Sequence, residues 1–308
     1  MSAIQPVELY RTIQRAPHVM PAAGSVPEQE MSPLREIIEQ RRLSALFQPI
    51  IDLKSGEFLG FEGLIRGPAD SPLHSPINLF GTAARQGLEL EVEMLSRQTV
   101  LEAFVRQNLP GFLFLNVSPE TLTRPSFKNG QTLEFLRGLS LDPARVVIEI
   151  TENQPTFDFD AMRSALLHYR AMGFKIAIDD LGEGFSSLRL WSELRPEFIK
   201  IDMHFVQGVD RDPIKLQFLK SIQSIAESCG TQVIAEGVET EAELRVVRDI
   251  GIALGQGYFI SRPCHTPPLL ASTETSRILS ASNIAIFPIS EFSFRTQATA
   301  LKLVTYIE

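Results

Sequence analysis

The chain has 308 residues, 44% of them hydrophobic, and a formal net charge of −8 at pH 7, so it is long enough for one large barrel or two average domains. The acidic balance argues against a surface that coats a nucleic acid polymer, and the two cysteines lack the CxxC spacing of a zinc site or a disulfide framework. No apolar run reaches the length of a membrane span and the N-terminus lacks a signal pattern, so we expect a cytoplasmic protein.

The start of the chain predicts a flexible segment followed by a helix and a hairpin. Residues 1–31 mix Pro, Ala, Ser and Gln without periodicity. A serine cap and helical spacing follow in SPLREIIEQRRL, so we expect the folded domain to begin at Ser32. Two strand-like runs, ALFQPIIDL and EFLGFEGLIRG, are joined by the turn KSGE, which predicts an antiparallel pair.

Strand-like runs alternate with helical patterns along the middle of the chain. The runs are GFLFLNVS, RVVIEITE, FKIAIDD, EFIKID, TQVIAEGVE and the weaker IALGQGYFI. Most are separated by amphipathic stretches such as LEVEMLSRQTVLEAFVRQ, DAMRSALLHYRAMG, PIKLQFLKSIQSIAESCG and TEAELRVVRDIG. This alternation predicts an α/β fold with a parallel sheet covered by helices, and about eight strands favour a closed barrel. Residues 271–308 contain one further helical pattern and no further barrel unit.

Polar residues stand at the C-terminal end of almost every predicted strand. The carboxyl ends of parallel strands share one rim of a barrel, and the loops of that rim build its catalytic sites. Because side chains alternate along a strand, Glu62, Leu64 and Arg66 share one face, while Gly63 and Ile65 point the other way. The strand-end residues are Asn116, Glu149, Glu152, Asp179, Asp180, Lys200, Asp202, Glu236, Glu239 and Gln256.

Oxygen donors from four separate strands predict a metal site. Carboxylate and amide oxygens suit Mg²⁺ or Mn²⁺ rather than zinc or copper. Asp180 makes a second ion plausible, and two ions would polarise a phosphodiester and generate hydroxide for in-line attack. By alternation, Asp179 and Asp180 point to opposite faces unless the strand has already ended, so both serve one site only if Asp180 belongs to the loop. The four donors are Glu62, Asn116, Glu149 and Asp179.

Each of these residues also has a purely structural interpretation. A single acid at a strand end is more often a turn or cap residue, although the whole set favours a site. Lys200 in FIKID either positions a nucleophilic water and stabilises negative charge or forms an ion pair with Asp202. The five histidines are scattered without ligand spacing, so we assign none of them to a metal.

The ordered segments resemble the EAL-domain family, bacterial phosphodiesterases of cyclic di-GMP. The triplet that names the family stands here as Glu62-Gly63-Leu64, and the resemblance covers about residues 33–270. The resemblance implies a modified TIM (β/α)8 barrel with one antiparallel strand. It also implies two Mg²⁺ or Mn²⁺ ions and the linearisation of cyclic di-GMP to 5′-pGpG. The other matching segments are FQPIID, LNVS, IEITE, IDDLGEGFSS, IKID, AEGVE and GQGYFISRP.

The resemblance implies a role for each matched residue. Lys200 would contact the attacking water, and it joins Glu62 and Glu236 as the catalytic set. Glu152 would hold the DDLGEGFSS loop in place. The implied metal ligands are Glu62, Asn116, Glu149 and Asp179, with Asp180 and Glu236 at the second metal. The residues implied to hold substrate or to support the site by hydrogen bonding are Gln48, Leu64, Arg66, Glu239 and Gln256.

The sequence departs from the family pattern at four positions. Gly63 replaces the usual alanine, and because it faces away from Glu62 we expect only a small change in packing. Leu181, Glu183 and Phe185 replace Phe, Thr and Tyr in the loop that couples the metals to the dimer interface in the family. Glu183 adds a negative charge and Phe185 removes a hydroxyl, so altered basal activity or regulation is implied there.

The resemblance also implies the surroundings of the domain. We expect a flexible segment at 1–31, the phosphodiesterase barrel at 32–270 and an extension at 271–308 as a linker to a missing module. A homodimer and fused GGDEF or sensory modules are implied as partners, beside cyclic di-GMP.

We expect Ca²⁺ to inhibit because its bonds are longer and its geometry is looser than those of Mg²⁺. Replacement of Glu62 or Lys200 by alanine should abolish turnover and leave the fold intact.

Two alternative functions stay open from the sequence. Some EAL domains act as receptors of cyclic di-GMP, and the altered loop makes a weakly active or inactive sensor one alternative. The other alternative is an unrelated metal-dependent barrel enzyme that acts on a different phosphate ester. Binding without turnover would indicate the receptor, and equal rates on generic phosphodiesters would indicate the unrelated enzyme.

Overall fold

The computed structural model describes residues 32–119, 121, 131–151, 159–182 and 187–281. The predicted flexible segment and most of the predicted extension therefore lie outside the described residues, as do Glu152, Glu183 and Phe185. Among the described helices, none combines the length and the apolar character that crossing a bilayer requires.

Eight strands close into a barrel in the order of the chain. The first strand is antiparallel to both of its neighbours, and every other pair is parallel. The predicted modified TIM barrel with one antiparallel strand is therefore confirmed. The strands are β1 (Ser44–Asp52), β2 (Phe58–Arg66), β3 (Phe112–Asn116), β4 (Val146–Thr151), β5 (Lys175–Leu181), β6 (Phe198–Ile201), β7 (Gln232–Ala235) and β8 (Leu254–Gly255).

Helices within the described residues surround this barrel. Several begin at a side chain that caps the first turn; Ser75, Asp212 and Thr240 each accept a hydrogen bond from a backbone N–H two or three residues later. The helices are α1 (Pro33–Glu39), α2 (Pro76–Gln86), α3 (Glu89–Arg106), α4 (Gln131–Gly138), α5 (Phe159–Ala171), α6 (Ser187–Leu194), α7 (Met203–Val206), α8 (Pro213–Cys229), α9 (Glu241–Asp249) and α10 (Thr273–Ser280).

Two predicted elements are shorter in the structure. Helix α1 ends at Glu39 because Arg41 adopts a left-handed φ of 52°, which turns the chain toward β1. The run IALGQGYFI contributes only Leu254–Gly255 to the barrel. A Cβ on Gly257 would overlap the backbone of Val238, and this close approach takes the chain away from the barrel after β8.

The barrel interior is filled by an apolar floor. Phe114 and Phe198 meet there edge to face with ring centroids 5.3 Å apart. On each strand, the next residue toward the rim on the same inner face is two positions away and is polar. The floor therefore supports a layer of polar side chains from different strands. The buried floor residues are Ile50, Phe114, Val147, Ala177, Phe198, Ile234 and Leu254.

The outer face of β2 packs directly against α3. A Cβ on Gly63 would overlap Cγ1 of Val100 and lie 3.4 Å from Cδ1 of Leu113. The sequence predicted that glycine here merely leaves out a methyl group, which is incomplete because Val100 occupies that space. The missing side chain at Gly63 thus makes room for the side chain of Val100.

We expect Gly63→Ala to lower the free energy of unfolding by about 1–3 kcal/mol, since the added methyl overpacks this contact. Urea denaturation measures the change. Adding Val100→Ala to the same chain should recover at least half of the loss, with Val100→Ala alone as the control. Equal free energies of unfolding for Gly63→Ala and the parent chain would show that α3 moves aside without loss of stability, and would contradict the overpacking.

Candidate active site and metal centre

Lys200 lies at the centre of the polar layer. Its side chain is 1% exposed and it is surrounded by carboxylates from other strands. An ammonium group buried this deeply requires such partners, because burial without them is very costly. Its Nζ lies 2.8 Å from Glu236, 3.0 Å from Glu149, 3.1 Å from Asp179 and 3.5 Å from Glu62.

Asp202 does not pair with Lys200 in the structure. Its Oδ1 accepts a hydrogen bond of 2.8 Å from the backbone N–H of His204 and so caps α7. Of the two roles considered for Lys200, the ion pair with Asp202 is therefore not formed, and the contact with a nucleophilic water stays a prediction.

A bulge in β5 turns both aspartates toward one site. The pairing of β5 with β6 is irregular between Ile178 and Leu181, and Asp180 adopts a left-handed φ of 56°. Asp179, Asp180 and Glu236 consequently offer oxygens within 4.8 Å of one another. The expectation that Asp180 joins the site only from beyond the strand end was wrong, since β5 continues to Leu181. The bulge reverses the direction that alternation assigns to Asp180.

Two groups of acids share Asp179. One consists of Glu62, Glu149 and Asp179, and the other of Asp179, Asp180 and Glu236; within each, one oxygen per residue lies within 4.8 Å of the others. Hard oxygen ligands in two adjoining groups fit two Mg²⁺ or Mn²⁺ ions. Glu149 is fully buried and, apart from its ion pair with Lys200, neither of its oxygens accepts a hydrogen bond from a described residue. Those oxygens suit metal ligation.

Side-chain amides hold Glu62 in place. Asn116 donates to Oε1 of Glu62 over 3.1 Å, and Gln256 donates to Oε2 over 2.6 Å. Gln256 also donates to Gln48 over 3.1 Å, and Gln48 donates to the carbonyl oxygen of Ser261 over 3.1 Å. The amides thus connect β1, β2, β3 and the turn after β8, and they fix the carboxylate of Glu62 toward the site.

The remaining predicted site residues lie at the rim. Leu64 and Arg66 are partly exposed, and Arg66 Nη1 donates to the carbonyl oxygen of Ile65 over 2.7 Å. Glu239 is exposed, and its backbone N–H donates to Glu243 over 2.9 Å. Leu64 and Arg66 follow Glu62 along β2, so a ligand that spans the acids also reaches them.

The pKa values of the four acids and Lys200 indicate that a positive charge stabilises the site. Burial raises the pKa of Glu149 and Glu236 well above the ordinary value, and raises that of Asp179, although Lys200 opposes each shift. For Glu62, burial is outweighed by Lys200 and the two amide donors, so its pKa is lowered. Burial disfavours the charge on Lys200, but the carboxylates outweigh it and raise its pKa well above the ordinary value. Lys200 therefore stays protonated at neutral pH.

Glu93 is a supporting residue that the sequence did not reveal. It is buried on α3 and accepts hydrogen bonds from the N–H of Ser118 over 3.1 Å, the hydroxyl of Ser118 over 2.8 Å and the hydroxyl of Thr121. These residues follow Asn116 directly, so Glu93 anchors the segment that carries this amide. The sequence offered only the spacing of Glu93 and Arg97, opposite charges four residues apart, and the burial of both side chains is visible in the structure alone.

We expect Glu93→Ala to weaken Mn²⁺ binding by about 10- to 100-fold, because loss of an outer hydrogen bond partner lets a ligand drift. Titration of Mn²⁺ followed by electron paramagnetic resonance gives the affinity. Glu91→Ala, an exposed acid on the same helix, is the matched control. An unchanged Mn²⁺ affinity in folded Glu93→Ala would contradict the anchoring role.

A second supporting contact fixes the chain just after Asp180. Gly182 has a φ of 115°, and a Cβ there would overlap the ring of Phe205 on α7. Phe205 in turn stacks on Phe218 of α8 with a centroid distance of 4.0 Å. Gly182 is therefore held close to α7, which packs on α8.

Curated proteins are similar to this chain in sequence. A signaling protein of Caulobacter vibrioides, itself uncharacterized, is 32% identical over 232 residues, which are 75% of this chain and 28% of that protein. The bifunctional diguanylate cyclase/cyclic di-GMP phosphodiesterase MucR of Pseudomonas aeruginosa is 29% identical over 250 residues, 78% of this chain and 36% of MucR. The chain thus spans well under half the length of these relatives.

A solved structure shares the fold. BlrP1 of Klebsiella pneumoniae, in complex with manganese and cyclic di-GMP, superposes with a TM-score of 0.67 at 30% identity over 79% of this chain and 58% of that one. A calcium and cyclic di-GMP complex of BlrP1 superposes with a TM-score of 0.67 at 27% identity, over 86% of this chain and 68% of that one.

The EAL domain family matches residues 31–263 of the sequence, a span that contains the whole barrel and all the acids of the site. The chain belongs to the EAL domain family.

Proposed function

We propose that this chain is a metal-dependent phosphodiesterase that hydrolyses cyclic di-GMP to 5′-pGpG. The observation that carries the proposal is the pair of acid groups that share Asp179 and enclose Lys200. MucR, which bears cyclic di-GMP phosphodiesterase in its name, and the manganese and cyclic di-GMP complex of BlrP1 support the same ligand and metal class.

Two Mg²⁺ or Mn²⁺ ions fit the donor set. Bound ions of this kind polarise a phosphodiester and lower the pKa of a bound water. We expect Ca²⁺ to occupy the site and inhibit, because its bonds are longer and its geometry is less strict. Glu62, Asn116, Glu149 and Asp179 would hold one ion, and Asp179, Asp180 and Glu236 the other.

The protein's own groups orient the reaction. Nζ of Lys200, placed among the acids, would donate to the attacking water or to the phosphate. The water oxygen forms a bond to phosphorus, the bond from phosphorus to O3′ breaks, and the proton released by the water ends on O3′. Glu62 and Glu236, both paired with Lys200, complete the catalytic set.

The proposed substrate-binding set extends from the acids to the rim. Gln48 and Gln256 lie beside Glu62, and Leu64 and Arg66 continue the same wall toward solvent. The exposed Glu239 would support the rim, and Glu152 stays a proposed loop partner. The list of proposed substrate contacts is Gln48, Leu64, Arg66, Glu239 and Gln256.

The test is a turnover assay on the purified chain with Mg²⁺ or Mn²⁺ and cyclic di-GMP, followed by chromatography of the nucleotides. Formation of 5′-pGpG is the expected result. Tight binding without product would indicate a receptor instead. Hydrolysis of generic phosphodiesters at the same rate would indicate an enzyme for another phosphate ester.

We also propose the organisation implied by the resemblance. The barrel at 32–270 would act in the cytoplasm as a homodimer, with 1–31 before it and 271–308 as an extension to GGDEF or sensory modules. MucR, which combines two activities in one chain, supports the fusion. Helix α10 packs on α9, where Arg248 donates to the carbonyl oxygen of Ala281 over 3.1 Å, so the folded unit extends through this helix. Sedimentation over micromolar concentrations tests the dimer.

A further inference from the structure

The turn after β8 is fixed to the rim of the site. It follows Gln256, which donates to Glu62, and its Ser261 carbonyl oxygen accepts from Gln48. Further along, Phe47 of β1 exchanges two backbone hydrogen bonds, of 2.9 and 3.1 Å, with Cys264. Side chains of this turn therefore have a defined position beside the acids.

This turn presents an aromatic ring and a guanidinium group together. Tyr258 is 49% exposed, although Gln256 and Gly257 before it are buried. The guanidinium carbon of Arg262, itself exposed, lies 4.2 Å from the centre of the Tyr258 ring. An aromatic ring held in place by a cation and still half exposed offers a stacking surface.

Arg66 of β2 is the third side chain that we consider beside Tyr258 and Arg262. Arg66 lies four residues after Glu62 on the same face of β2 and is half-buried. The charges of Glu62 and Tyr258 act on it and oppose the lowering of its pKa by burial. One of its N–H groups donates to the carbonyl oxygen of Ile65, and a guanidinium has five. Arg66 is therefore able to donate to a planar ligand that lies on Tyr258.

We propose that Tyr258, braced by Arg262, is a stacking platform for one guanine base of cyclic di-GMP, with Arg66 donating to the base edge. Guanine O6 and N7 match the paired donors of an arginine, and purine rings stack on tyrosine. The inference deepens the proposed function and depends on cyclic di-GMP as the ligand. None of the three side chains belongs to the acid groups, so the platform affects binding and not the metal.

The experiment measures the dissociation constant of cyclic di-GMP by isothermal titration calorimetry in Ca²⁺, so that binding is separated from turnover. Replacing Tyr258 by leucine should raise the constant about 5- to 150-fold through lost stacking. Tyr258→Phe keeps the ring and should stay within about twofold. Arg262→Ala should raise the constant about 2- to 5-fold. Leu270→Ala, at an 80% exposed residue outside this turn, is the control, and melting temperatures confirm folding.

The outcomes separate this inference from the proposed function. A Tyr258→Leu constant within twofold of the parent would overturn the platform, whether or not the parent chain turns over cyclic di-GMP. Loss of binding in Tyr258→Leu beside a parent that binds but does not hydrolyse would support the platform and overturn the phosphodiesterase. A parent chain that neither binds nor hydrolyses cyclic di-GMP would overturn both.

Discussion

Lys200→Met removes turnover by at least about a thousandfold and lowers the free energy of unfolding of the metal-free protein by about 3–5 kcal/mol. The loss of turnover follows from the loss of the protonated Nζ beside four carboxylates. The loss of stability follows because those acids lose their only described cationic partner and must either stay charged and unpaired or take up protons at neutral pH, and both cost free energy. The sequence predicted that a Lys200 variant keeps an intact fold. Because the site is buried, we now expect that variant to fold with a lower free energy of unfolding.

Two measurements check the Lys200 prediction. Urea denaturation in EDTA gives the stability, and 5′-pGpG formation gives the activity. Lys220→Met, an exposed lysine on α8, is the matched control and should change neither by a measurable amount. Turnover of Lys200→Met within tenfold of the parent chain would contradict the assigned role, even if the stability falls as expected.

Mg²⁺ or Mn²⁺ at a hundred times its dissociation constant at pH 7 raises the free energy of unfolding by about 2.7 kcal/mol at that pH, and at this same metal concentration the gain is larger at pH 8 than at pH 6. Burial raises the pKa of Glu149 and Glu236 well above their ordinary 4.5. The metal-free folded state then binds more protons than the unfolded state, so its stability falls as pH rises from 4.5 through the raised pKa values. A metal ion replaces those protons, so its advantage grows with pH.

Urea denaturation at pH 6, 7 and 8, with EDTA or with Mg²⁺, measures this dependence. Glu149→Gln removes one carboxyl with a raised pKa, so its metal-free stability should vary less with pH and its gain from metal should shrink. Glu62, whose pKa is lowered, stays ionised across this range and does not affect the slope. An equal gain from metal at pH 6 and pH 8 would contradict the assignment of these acids to the metal site.

The barrel and most of the site were predictable from local patterns. Apolar strands that alternate with helices identify the architecture, and the period of two along a strand places Glu149 above Val147 and Lys200 above Phe198. These relations depend only on neighbouring residues. A single strand therefore predicts which of its side chains face the barrel axis.

The parts that were missed depend on contacts between distant residues. The orientation of Asp180 depends on a pairing irregularity between β5 and β6, which alternation within β5 does not encode. The packing at Gly63 depends on Val100, and the position of Asn116 depends on Glu93 of another helix. Each of these is a long-range contact, and one sequence carries no signal for it beyond residue type.

The most direct measurement is the rate of 5′-pGpG formation by Asp179→Asn and Asp202→Asn, in Mg²⁺ or Mn²⁺, beside the parent chain. Asp179 belongs to both acid groups, whereas Asp202 only caps α7. We predict turnover by the parent chain, at least a hundredfold loss in Asp179→Asn, on the order of a metal ligand's contribution, and a rate close to the parent in Asp202→Asn. Binding of cyclic di-GMP by the parent chain without any 5′-pGpG, or equal rates in the two variants, would contradict the two-metal site.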